Sequence, residues 1–355
     1  MKSKALALLT ATTFLATLGL AIPAAAQITQ DQIATFDAGP NGTIATSINP
    51  RGEIAGYYFG STAPTAHGFV RDKDGTITSF DAPGAGSNGT IVVGINPSGE
   101  ITGYFFDVNY AVNHTTHGFV RDRDGAIISF DAPNAGTNGT VASSINPAGT
   151  ITGSYVDASF MVHGFVRDKH GAITSFDAGP RFTVPTSINP SGTITGSYGD
   201  AAFVSHGFVR DKDGSITSFD VDPKNLHGIN PTSINPSGDI TGSFFAVGGP
   251  HGLVSHGFVR AADGTITIFD ADPPVIGTYS QSINPSGEIT GYFFTADIKQ
   301  HGFVRAADGT ITTFDVGSIS TGTNPTSINP AGTITGTAGG HGFVLKHSHH
   351  PGSQE

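Results

Sequence analysis

Three observations predict an all-β fold, a β-propeller of seven four-stranded antiparallel blades. The phrase His-Gly-Phe-Val begins seven times, at His67, His117, His163, His206, His256, His301 and His341. Between copies lie a Phe-Asp pair and an Ile-Asn-Pro-x-Gly turn, so the whole pattern returns every 40–50 residues. A period of that length, built from short runs bounded by turn residues and without helical periodicity, is the mark of one propeller blade per repeat.

The stretch 91–131 shows the elements in order. Ile91 to Ile95 reads as a first strand, Asn96-Pro97-Ser98-Gly99 as a turn and Glu100 to Phe106 as a second strand. A variable loop leads to the third strand, His117 to Arg121. Asp122-Arg123-Asp124-Gly125 turns the chain into the fourth strand, Ala126 to Asp131. Both turns fit a type I turn followed by a Gly bulge: Pro supplies φ near −65° and Gly the positive φ at the end. Such a turn sets the register of its hairpin.

That register makes a specific statement. If Asp72 pairs with Thr76, counting outward places His67 opposite Asp81. The same spacing gives His117 with Asp131, His163 with Asp177, His206 with Asp220, His256 with Asp270 and His301 with Asp315. An imidazole facing a carboxylate fastens the outer hairpin. A His–Asp pair is also two thirds of a hydrolase triad, but repetition around a ring argues for structural pairing. The seventh pair is split between the chain ends: His341 lacks a following Phe-Asp, and Phe36-Asp37 lacks a preceding His-Gly-Phe. Ring closure resolves this. Residues 326–345 supply three strands, 31–37 the fourth, and His341 meets Asp37, leaving no open sheet edge.

Residues 1–26 read as a signal peptide: Lys2 and Lys4, an apolar run from Ala5 to Ile22, then Ala24-Ala25-Ala26 before Gln27. Residues 27–345 form the propeller and 346–355 a His-containing tail. The expectation is therefore a secreted or periplasmic, monomeric protein with no membrane span once the leader is removed. The absence of Cys excludes disulfides and Cys–metal sites. Without Lys2 and Lys4 the chain carries 15 basic and 28 acidic residues, a charge of −13. With no run of Lys or Arg, nucleic acid is excluded as a partner.

The His-Gly-Phe-Val-Arg, Asp-Gly-x-Ile-Thr-x-Phe-Asp and Ile-Asn-x-x-Gly-x-Ile-Thr-Gly series resembles the HAF-type extracellular repeat of bacterial exported proteins, over nearly the whole chain after residue 26. The resemblance implies export and a propeller-like fold. It carries no catalytic residue to this sequence.

Function is expected on one face. The first–second and third–fourth turns are nearly constant, whereas the second–third and fourth–first loops vary, and binding residues concentrate on variable loops. Those loops offer Tyr110, His114, Asp157, Asp200, Lys224, His227 and His251 as candidate ligand-binding residues. No cofactor is assigned. Asp-x-Asp-Gly turns suggest Ca²⁺, but the pattern decays to Ala-Ala-Asp-Gly at 261–264 and 306–309. His114, His227 and His251 suggest Zn²⁺, but their blades are not all neighbours. The chain lacks a Gly-x-Ser-x-Gly elbow, a His-Glu-x-x-His motif and Trp. The leading expectation is a binding protein for a glycan, a peptide or an exported protein. The alternative is a lyase or hydrolase of a polysaccharide or small molecule at the channel mouth, using Tyr110, His114, His227 or His251.

Overall fold

The computed structural model describes residues 28–61, 65–113, 115–222, 228–247, 252–271, 275–317 and 322–346. Its strands form four-stranded antiparallel meanders. Thr43–Ile48 pairs with Ile54–Phe59, that strand with Ala66–Arg71, and Ala66–Arg71 with Ile77–Phe80. The corresponding first strands of the later repeats are Ala85–Ile95, Ala135–Ile145, Thr183–Ile188, Ile229–Ile234, Val275–Ile283 and Thr323–Ile328. Each of these touches the next, and the last touches Thr43–Ile48, so the first strands surround one axis. The fold is a β-propeller. Its N-terminal strand, Ile33–Phe36, completes the sheet of the C-terminal strands by pairing with His341–Lys346, Ile33 facing Leu345 and Phe36 facing Gly342.

The asparagine of each Ile-Asn-Pro-x-Gly turn does two jobs. Asn49 Oδ1 accepts the backbone N–H groups of Arg51 and Glu53, which shapes its own turn. Its Nδ2 donates to the carbonyl of Asn96 at 3.2 Å, in the next sheet. Asn96 reaches Asn146, Asn146 reaches Asn189, Asn189 reaches Asn235, Asn235 reaches Asn284 and Asn284 reaches Asn329, all at 3.2–3.4 Å. Asn329 then donates back to the Asn49 carbonyl at 3.2 Å. These asparagines are at most 3 % exposed, and each needs both a donor and an acceptor, which Asp or Ser cannot supply in the same shape. At about 1 kcal/mol net per bond, the circuit contributes modestly when intact. A buried amide left unpaired costs more than that.

A second circuit runs further out. The phenylalanine of each Phe-Asp packs edge-on against the His-Gly-Phe ring of the following sheet, with centroids 5.9–6.2 Å apart from Phe36–Phe69 round to Phe314–Phe343. The arginine after His-Gly-Phe-Val lies over that same Phe-Asp ring, as Arg71 over Phe36 at 4.9 Å and Arg167 over Phe130 at 4.8 Å. Nη1 of each guanidinium donates to the carbonyl of the following residue, as Arg121 to Asp122 at 3.2 Å, while the buried Nε atoms have no hydrogen-bond partner among the described residues. The last repeat has Leu345 instead of Arg. It is fully buried, with the partly buried Ile33 packed against its cluster.

Glycine in the second strand makes this packing fit. At Gly153, a Cβ would overlap the Val141 carbonyl oxygen and stand 2.8 Å from Phe165 Cε1. The first strand is bulged between Ala142 and Ser144 beside it, and only glycine leaves room for the fully buried Phe165 ring.

Two departures from the sequence reading are local. The first strands Ala85–Ile95 and Ala135–Ile145 are 11 residues long, because their Gly-rich approaches also pair with the end of the second strand. A one-turn helix, Tyr110–Asn113, stands where a loop is expected, and a 3-10 turn, Gln30–Gln32, takes the start of the expected strand 31–37, which runs from Ile33 to Phe36. The helix follows a turn that Asp107 starts by accepting the Asn109 N–H at 2.6 Å. The tail expected over 346–355 starts one residue later, because Lys346 ends the strand His341–Lys346; 347–355 and the expected leader, 1–26, lie outside the described residues.

Deleting residues 27–38 removes Ile33 and Phe36 from the seam and leaves His341–Lys346 as an open edge. The expected cost is at least about 3 kcal/mol, the scale of losing one buried Phe. Chemical denaturation of the truncated and full chains checks this; equal stability would mean that the strand is not part of the fold's core.

Candidate ligand-binding face

The hairpin geometry delivers every His-Gly-Phe histidine and every Phe-Asp aspartate to the same end of the sheets, the end bearing the variable loops. Asp72 N–H bonds the Thr76 carbonyl, and Gly68 faces Phe80, so His67 meets Asp81. The Nδ1–Oδ1 distance is 2.9 Å there, 2.8 Å at His117–Asp131 and 2.8 Å at His163–Asp177. It is 2.8 Å at His206–Asp220, 2.9 Å at His256–Asp270 and 2.9 Å at His301–Asp315. Across the seam, His341 and Asp37 are 2.7 Å apart. In most sheets an aromatic ring from the second strand packs on the imidazole, as Tyr155 on His163 at 5.1 Å between centroids.

Three adjacent sheets add a second carboxylate. Asp157 Oδ2 lies 3.3 Å from His163 Nε2, Asp200 Oδ2 3.5 Å from His206 Nε2, and Asp107 Oδ2 3.6 Å from His117 Nε2. Each imidazole is thus held between two aspartates. Asp157 and Asp200 are candidates read from the loops; Asp107 is not. It was findable, because Asp107, Asp157 and Asp200 occupy the same position, four residues after the Gly of Ile-Thr-Gly.

The loop around each acid explains its ionisation. Asp157 Oδ1 accepts backbone N–H groups from Ser159 and Met161, and Asp200 Oδ1 those of Ala202 and Val204. The Met161 N–H, then His163, hold the Asp157 carboxyl below its usual range; the Val204 N–H and His206 do the same for Asp200. Burial alone would lower the His163 pKa, but hydrogen bonds and charge from Asp177 and Asp157 outweigh it and raise it.

Tyr110 begins the one-turn helix after Asp107. It packs edge-on to Phe106 at 4.6 Å, beside Tyr104, whose phenol is kept neutral to higher pH chiefly by burial. His114, Lys224, His227 and His251 lie outside the described residues. Of the predicted residues that are described, Asp157 and Asp200 lie on neighbouring sheets. Among the described residues no group of three or more His, Asp or Glu is placed to hold a metal ion.

The tips of the same loops carry large apolar side chains in water. Val108, Phe160, Phe203, Val247 and Ile298 are 66–74 % exposed, each in a different repeat. Three of them occupy the left-handed region, with φ of 62° at Phe160, 65° at Phe203 and 63° at Ile298. Each stands at the turn position that Gly fills on the opposite face: Phe160 N–H bonds the Asp157 carbonyl as Gly52 N–H bonds that of Asn49. A β-branched residue in this conformation is a marked outlier.

No protein-family model matches the chain. No curated protein matches it either. Solved structures do. The chain is similar to virginiamycin B lyase from Staphylococcus aureus, with TM-score 0.59 at 14% identity over 89% of this chain and 98% of that one. A streptogramin B lyase structure gives TM-score 0.58 at 14% identity over 88% and 96%. The β-propeller domain of the Trilobed protease from Pyrococcus furiosus gives TM-score 0.59 at 8% identity over 89% and 97%. At such identities the likeness shows the β-propeller fold alone. Among the described residues no helix is long and apolar enough to cross a membrane.

A pH test isolates the His163 clamp. Its raised pKa means the stabilising contribution is complete below about pH 6.5 and is lost as pH rises through the folded value. The lowered pKa of Asp157 means its contribution is complete above about pH 4 and is lost as pH falls through the folded value. The wild-type melting temperature should therefore drop between about pH 5.5 and about pH 8.5 by more than that of His163→Gln. Parallel profiles for the two proteins would contradict the clamp.

Proposed function

We propose that the chain is an exported, seven-bladed β-propeller of the HAF-type repeat class that binds a ligand through its variable-loop face and does not transform it. The observation that carries this reading is the row of exposed Val108, Phe160, Phe203, Val247 and Ile298 on one face of the ring. Isolated exposed apolar residues are ordinary, but a set on corresponding loops of successive blades marks an interaction surface. Among the described residues the opposite face has no comparable row, since its turns are consumed in shaping hairpins and joining the Asn circuit. The His–Asp pairs recur around the ring, which fits fastening rather than a single catalytic dyad. Export to the periplasm or the medium is supported by Lys2, Lys4, the apolar run and Ala24-Ala25-Ala26. The ligand classes in view are glycans, peptides and other exported proteins.

Thermal shift of residues 27–355 against glycans, peptides and divalent metals tests this. A ligand present at about 100 times its Kd should add about 2.7 kcal/mol of stability. Turnover of any of these compounds, or a shift that survives replacement of all five apolar tips by Ser, would overturn the reading.

A further inference from the structure

The two faces of the propeller differ in charge far more than the composition suggests. Among the described residues, the ends of the strands at the variable loops carry twelve aspartates against Arg181 and Lys299. The opposite ends carry fourteen acidic and twelve basic residues, close to balance. So most of the net negative charge of the described residues, −10 against −2, belongs to one face. Many of its carboxylates are open to water: Asp37, Asp81, Asp131 and Asp177 are each about half exposed even though they accept a bond from His.

The apolar tips stand above this acidic floor. Phe160, Phe203 and Ile298 combine two costs, exposure of a large hydrophobic side chain and a left-handed backbone that glycine would adopt freely. The same turn is built with Gly throughout the opposite face, so the hairpin itself does not require a bulky residue. The molecule also contains one example of what such a tip accepts. The Arg181 guanidinium lies over the Phe203 ring, 4.3 Å from its centroid.

We propose that the variable-loop face docks a cationic amphipathic polypeptide segment, its Lys or Arg side chains lying among the aspartates and over the exposed rings, its apolar side chains on Phe160, Phe203 and Ile298. This deepens the binding reading above and rests on it. The field of the acidic face attracts such a segment, speeds its encounter and repels acidic competitors. The apolar tips supply contact area that charge alone does not.

The test uses fluorescence anisotropy with residues 27–355 and three labelled peptides: an amphipathic Lys/Leu peptide, a Glu/Leu peptide of the same pattern and a Lys/Ser peptide. The Lys/Leu peptide should bind at least about tenfold more tightly than either of the others, and added salt should weaken it. The triple variant Phe160→Gly, Phe203→Gly, Ile298→Gly should lose at least about tenfold in affinity while melting a few degrees higher, because left-handed strain is relieved. That opposite movement separates a docking role from a structural one. Ile128→Ser with Ile268→Ser, which removes exposed apolar side chains from fourth strands, should leave affinity unchanged. Equal binding of the Glu/Leu peptide, absence of peptide binding, unchanged affinity in the triple variant or insertion of the tips into phosphatidylcholine vesicles would each overturn the proposal. A glycan-induced thermal shift in the absence of peptide binding would overturn it while leaving the broader binding reading in place.

Discussion

The structure depends on a circuit of buried asparagine amides. Each of these side chains shapes its own hairpin through Oδ1 and holds the next sheet through Nδ2, and the chain of bonds returns to Asn49 from Asn329. Two consequences follow. The sheets are tied to each other at the axis by the same atoms that form their turns, so hairpin register and inter-sheet spacing cannot vary independently. The turns at that end are also unable to vary, because a residue lacking either the donor or the acceptor leaves a buried polar group unpaired. The outer Phe–Phe circuit repeats the arrangement in apolar form, with Arg covering the ring where the sheet edge meets solvent.

This constraint divides the molecule into a conserved-geometry end and a free end. At the turn end, side chains are committed: Asn to the circuit, Glu53 to Asn49 and Arg123, Arg to the Phe-Asp rings. At the loop end, the repeated contacts are the His–Asp pair and six buried threonines, from Thr43 to Thr323, that accept the N–H of the residue after Phe-Asp. The loops beyond them change from one repeat to the next. There the chain places second aspartates on His117, His163 and His206, a one-turn helix at Tyr110–Asn113, and apolar tips in strained backbone. A rigid ring with one variable end is a physical basis for presenting a binding surface.

Much of the architecture was legible because its determinants are local and repeated. Asn-Pro-x-Gly announces a turn by its own chemistry, and the constant spacing from His to Asp turns that chemistry into a cross-strand contact. The split pair at the chain ends pointed to the seam for the same reason. What was not legible depends on tertiary geometry. The asparagine read as a turn former, yet its Nδ2 bond exists only once a neighbouring sheet is in place. Asp107 looks like an isolated loop residue until its repeat is aligned on Ile-Thr-Gly, which places it at the position of Asp157 and Asp200. Phe160, Phe203 and Ile298 gave no local sign of a left-handed backbone, since sequence leads one to expect Gly or Asn there. Their turn is revealed only by the hydrogen bonds that close it.

Closure of the asparagine circuit across the seam is the central claim, and native-state hydrogen exchange tests it most directly. If the ring is closed, backbone amides in 43–49 and 323–329 should be as protected as those in 183–189, across the ring from the seam, and should open only with the whole fold. Exchange at the seam orders of magnitude faster than at 183–189 would show an open ring and would contradict the account.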